Sequence, residues 1–127
     1  MELQNNIVEM KREFGEFDKV RFTFRYLKVN NVERTIIEKE LSDLTLKINE
    51  ADNGSFVITF PLTADINSER IKNLNEKIKL SDSQYGIFVA FTTNYDHSGF
   101  RLPKEIRNFY QVVGGEFDCS IIMMKSD

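Results

Sequence analysis

The chain has 127 residues, enough for a single domain, 1–127, with its own core. Apolar residues make up 41%, and 20 acidic residues against 17 basic ones leave a net charge of -3. That balance argues against a protein whose main task is to hold nucleic acid or an anionic membrane, and it permits attraction to a basic partner. The only cysteine, Cys119, excludes an intrachain disulfide and fits a cytoplasmic chain. No apolar run approaches the roughly 18 residues that a membrane-spanning helix needs. The opening Met1-Glu2-Leu3-Gln4-Asn5-Asn6 lacks the basic-then-apolar order of a signal peptide.

Taken in order, Leu3, Ile7, Met10 and Phe14 fall at helical spacing and predict an N-terminal helix that ends at Gly15. From Val20 to Leu27, Val20, Phe22, Phe24 and Tyr26 alternate with Arg21, Thr23 and Arg25. This period of two is that of a strand with one apolar and one basic-polar face. A short helix over Val32–Leu41 follows, with Val32, Ile36, Ile37 and Leu41 as its buried stripe. Leu44, Leu46 and Ile48 alternate again, Asp52-Asn53-Gly54 marks a tight hairpin, and Phe56, Ile58 and Phe60 face inward on the return strand up to Pro61.

Asn67 or Ser68 caps the next helix, whose apolar stripe is Ile71, Leu74 and Ile78. The segment Ile87-Phe88-Val89-Ala90-Phe91 is apolar at every position, so it reads as an inner strand covered on both sides. A polar loop leads to Pro103, which opens a helix with Ile106, Phe109, Tyr110 and Val113 inward and Gly114-Gly115 at its end. The last strand runs from Phe117 to Met124 and places Cys119 as a small buried hydrophobe. The order β-α-β-β-α-β is that of an α+β, ferredoxin-like split β-α-β core, extended by a C-terminal helix and strand.

The reactive groups are sparse. His97 is the only histidine, and Tyr95-Asp96-His97-Ser98 gathers an acid, an imidazole and a hydroxyl on one loop. Residues adjacent in a loop rarely face one another as a proton relay requires, so the expectation is a solvated turn and no catalytic residue. One histidine and one distant cysteine leave no metal-ligand set, and there is no phosphate-cradling glycine loop or other cofactor motif. Arg21, Thr23 and Arg25 share a strand face, but Phe22, Phe24 and Tyr26 fall on the opposite one and cannot stack bases there. That basic face is expected to be solvated or covered by the last helix.

The acidic clusters carry more information. Glu33, Glu38, Glu40 and Asp43 sit on or just after the first full helix, and Glu50 and Asp52 follow at the hairpin. Together they are a candidate docking surface for a basic partner, whose approach a long-range field would speed.

From Ser98-Gly99-Phe100-Arg101-Leu102-Pro103-Lys104-Glu105-Ile106 and then Gly114-Gly115-Glu116-Phe117-Asp118-Cys119-Ser120-Ile121, the closing third resembles small bacterial domains of unknown function. In size, acidity and α+β make-up the chain is similar to bacterial toxin-immunity proteins of the contact-dependent inhibition type. That resemblance implies a cytoplasmic, non-enzymatic protein that covers the active site of a secreted toxin; the chain is expected to be a monomer or weak dimer. A basic nuclease domain would be the natural partner, and no functional residue is carried over from that family. Two alternatives stand beside it: a small-molecule-binding or regulatory module, and an enzyme that uses the Tyr95–His97 loop with Arg21 or Arg25.

Overall fold

The computed structural model describes residues 7–9, 19–93 and 102–123, with backbone alone for 7–9, 93, 122 and 123. The elements are β1 (Ile7–Glu9), β2 (Lys19–Val29), α1 (Asn31–Glu40), β3 (Lys47–Glu50), β4 (Phe56–Pro61), α2 (Ser68–Lys77), β5 (Tyr85–Thr93), α3 (Lys104–Val113) and β6 (Glu116–Met123). The fold is α+β: the described residues form three helices and a mixed sheet whose main strands lie in the order β3-β4-β2-β5-β6, with β1 paired to β2. All pairings are antiparallel except the parallel β5–β6 ladder.

The alternation in β2 is realised as read: Val20, Phe22, Phe24 and Tyr26 are buried on one face. A register shift between Tyr26 and Val29, with Lys28 in the left-handed region, changes the phase, so Val29 is buried as well. Phe56, Ile58 and Phe60 of β4 point to the same side. Phe24 is the hub of this layer. Its ring lies 5.2 Å from Tyr26, 5.3 Å from Phe60, 6.2 Å from Tyr85 and 5.5 Å from Phe109.

Local chemistry fixes the boundaries. Asn30 and Glu33 form a reciprocal capping box at the start of α1, and the Asn67 side chain accepts from the Arg70 N–H at the start of α2. The Asn53-Gly54 hairpin forms as expected, with the Gly54 N–H donating to the Ala51 carbonyl at 3.0 Å and φ +83° at Gly54.

Several expectations are corrected. Residues 7–9 of the expected N-terminal helix are a strand. The ladder between β2 and β4 stops at Thr23↔Pro61, and β1 pairs with Lys19, Val20 and Arg21 beyond that point, satisfying backbone groups that β4 does not reach. β5, expected to be covered on both sides, is covered on one face only: Ile87, Val89 and Phe91 are buried, while Phe88 and Ala90 on the other face are half-exposed. The reason is that all three helices pack on one side. Phe109 of α3 meets Phe24, Asn75 of α2 meets Tyr26, and Arg34 of α1 lies over Phe56. The last helix therefore does not cover the basic face of β2.

Val32 is 69% exposed, not buried, because the first turn of α1 lies past the end of β2. Cys119 is exposed although it pairs with Val89. It sits on an outer strand, where α3 packs on Phe117 through Tyr110 at 5.6 Å and Ile121 stays 59% exposed. Partial burial pushes its thiol above the usual range, which disfavours the thiolate.

Candidate functional site

The acidic residues singled out in the sequence separate into groups with different work to do. Glu33 accepts from the Asn30 backbone N–H at 3.0 Å and completes the helix cap. Glu38 lies 3.5 Å from the Arg34 guanidinium one turn earlier. Glu40 receives Lys77 at 3.0 Å, and Asp43 receives both terminal nitrogens of Arg70. Arg70 also donates to the Glu40 backbone carbonyl at 2.6 Å, one of the carbonyls at the end of α1 that lack a partner within the helix. The hydrogen bond from Lys77 holds the Glu40 carboxyl below its ordinary range, and the one from Arg70 does the same for Asp43. These contacts span a groove of about 430 Å³ between α1 and α2. Glu40 and Asp43 thus clamp two helices together.

Glu50 and Asp52 differ. Both are exposed, and neither forms an ion pair with another described residue. Glu50 pairs with Phe56, which pairs with Val29, so the β3–β4 turn and the first turn of α1 lie at the same end of the sheet. Arg34, stacked 4.5 Å over the Phe56 ring, ties the two together. The exposed Val32, Glu50 and Asp52 therefore share one end of the molecule, with Glu33 and Glu38 on the adjoining helix.

The opposite face of the sheet was only half legible. Arg21, Thr23 and Arg25 lie there as read, beside Thr59 on β4 and Lys47 on β3. Arg21, Thr23, Thr45, Lys47 and Thr59 line a shallow groove of about 410 Å³. Phe88 belongs to this face too, since it pairs with Thr23. It was hidden in the sequence by the uniform apolarity of its neighbours. Arg25 reaches across it, 4.3 Å over the ring, to Asp118 of β6 at 3.1 Å.

One buried polar pair also escaped the sequence reading. The Tyr26 hydroxyl donates to Asn75 Oδ1 at 2.8 Å, and Asn75 is 3% exposed. The signal was present: Asn75 is four residues after Ile71 and so lies on the apolar stripe of α2. Burial raises the Tyr26 pKa well above the ordinary tyrosine value, with a smaller contribution from Tyr85. A raised value means that the stability this tyrosine contributes is complete below about pH 10, its unfolded pKa, and is lost as pH rises beyond that. An ultraviolet titration at 295 nm is expected to show Tyr26 resisting ionisation until the chain unfolds. Tyr26→Phe is expected to cost about 1–3 kcal/mol, because it leaves the buried Asn75 Oδ1 without its donor. Tyr26→Phe combined with Asn75→Leu is expected to recover most of that loss in urea melts.

The Tyr95–His97 loop lies outside the described residues. Among the described residues no group of three His, Cys, Asp or Glu side chains is placed to hold a metal ion, and no helix is long and apolar enough to cross a membrane. No protein-family model, curated protein or solved structure matches this chain.

Proposed function

We propose that this chain is a non-enzymatic domain that binds a basic protein, acting in the cytoplasm as an immunity protein that neutralises a secreted bacterial toxin by covering its active site. The observation that carries the reading is the acidic end of the molecule. Glu50 and Asp52 stand free of ion pairs with other described residues, at the same end of the sheet as Val32, which is 69% exposed. An exposed apolar side chain and unpaired carboxylates at one end of a domain suit a protein interface: the apolar group supplies contact area, and the charges supply speed and selectivity. A nuclease toxin fits this chemistry, because a protein that attracts phosphates presents a basic surface. We read the scaffold as a ferredoxin-like split β-α-β core. The order β3-β4-β2-β5 with antiparallel pairing supports that assignment, with α3 and β6 as its extension.

The test is binding to the purified product of the adjacent gene, followed by stopped-flow association at several salt concentrations. Complex formation below micromolar concentration is expected. Glu50→Lys with Asp52→Lys is expected to slow association about tenfold or more at low salt, with a smaller effect at high salt. Val32→Ser is expected to act mainly on dissociation. No complex at micromolar concentration, or an association rate indifferent to the double reversal, would overturn the reading.

A further inference from the structure

We infer that the open face of the sheet is a self-complementary surface that pairs with a second copy of this chain. The carrying observation is the placement of charge along one row of the sheet. Lys47 pairs with Thr59, Thr59 with Arg25, Arg25 with Gly86 and Gly86 with Glu116. A cation on one outer strand and an anion on the other therefore lie level with each other, two strands to either side of β2.

A two-fold axis parallel to the strands and passing over β2 exchanges the two sides of the sheet and keeps each row level. It lays Lys47 of one copy over Glu116 of the other, twice per dimer. The next row behaves in the same way. Pro61 pairs with Thr23 and Thr23 with Phe88, so the same operation sets the exposed Pro61 of one copy over the half-exposed Phe88 of the other and the Arg25 guanidinium that lies on its ring. The alternative axis, perpendicular to the strands, would lay each strand over its own copy and set Glu116 and Asp118 near their own like charges. Facing sheets pack within about 30° of alignment, which keeps these rows in register near the centre.

The size agrees with weak association. Five strands at ~4.8 Å spacing and about six residues at ~3.3 Å give a face of roughly 24 by 20 Å. Two such faces cover about 1,000 Å² in total, the class of transient interfaces. The Arg25 guanidinium leans away from the axis towards Asp118, so its charge is partly answered within its own chain. Arg21 is exposed and forms no such ion pair with another described residue, and it sits on the axis near one end of the face. Its two copies repel.

Sedimentation equilibrium of the full chain from about 10 μM to about 1 mM spans the affinities of interfaces this small. A monomer–dimer equilibrium is expected within that range. Lys47→Glu and Glu116→Lys are each expected to weaken it about tenfold or more, because every reversal acts at two symmetry-related contacts. The two combined are expected to restore it. Arg21→Ser is expected to tighten the dimer, which separates this proposal from docking of an acidic protein or a single-stranded nucleic acid, where losing a cation weakens binding. A chain that stays monomeric at the highest concentration overturns the inference. So does a double reversal no tighter than the single ones, or an Arg21→Ser variant that loosens the dimer. Circular dichroism of each variant checks that the fold is kept.

Discussion

Phe24→Ala is expected to cost the fold about 3–5 kcal/mol, the range for removing a buried aromatic ring from a packed core. Phe24 is fully buried, and its ring meets those of Tyr26, Phe60, Tyr85 and Phe109, which come from β2, β4, β5 and α3. Removing it leaves a void bordered by four elements, and rigid strands on three sides prevent the gap from closing. A domain of this size is stable by about 5–15 kcal/mol, so the loss is a large fraction of the whole. Urea unfolding should show a lower midpoint with an unchanged slope. Phe24→Leu, which keeps most of the volume, should recover more than half. A loss below about 1.5 kcal/mol for the alanine variant would mean that the layer repacks and that Phe24 is not its hub.

The second large effect is expected at Gly86. A Cβ there would overlap the backbone of Glu116, its carbonyl above all. Gly86 pairs with Glu116 where the parallel β5–β6 ladder begins, so this is a close approach of two backbones with no flexible side chain available to yield. Gly86→Ala is expected to cost about 2–3 kcal/mol, at the upper end of overpacking effects, because the only relief is to move β6 away from β5. Hydrogen exchange localises the damage: amides of β6 should lose protection while those of β3 and β4 keep theirs. Uniform loss of protection across the sheet, or a cost within about 0.5 kcal/mol of zero, would contradict the close packing.

Much of the fold was legible because its signals are local. The alternation of Val20, Phe22, Phe24 and Tyr26 with Arg21, Thr23 and Arg25 follows from the pleat of a strand, in which successive side chains take opposite faces. Asn53-Gly54 marks its own turn, and Asn30 and Asn67 mark their helix starts, since each of these groups satisfies backbone within a few residues. The candidate site was less legible. Glu40, Asp43, Glu50 and Asp52 look alike as acids in a sequence. The first two are engaged by Lys77 and Arg70, which lie 37 and 27 residues further along the chain, and no local pattern announces such a meeting. Val32 follows the helical spacing of a buried stripe, yet it stays exposed because the first turn of α1 lies past the end of β2.

The order of amino acids alone determined the two faces of β2 and β4, the positions of the hairpin turn and the helix caps, and the acidic balance, because each rests on residues close together in the chain. Only the tertiary structure decided that α1, α2 and α3 all pack on one side, leaving Phe88 and the arginines of β2 uncovered on the other. It also decided that β1 pairs beyond the end of β4, and which carboxylates remain free. Those outcomes depend on which distant segments compete for the same surface and the same backbone partners, and that competition is settled when the whole chain packs.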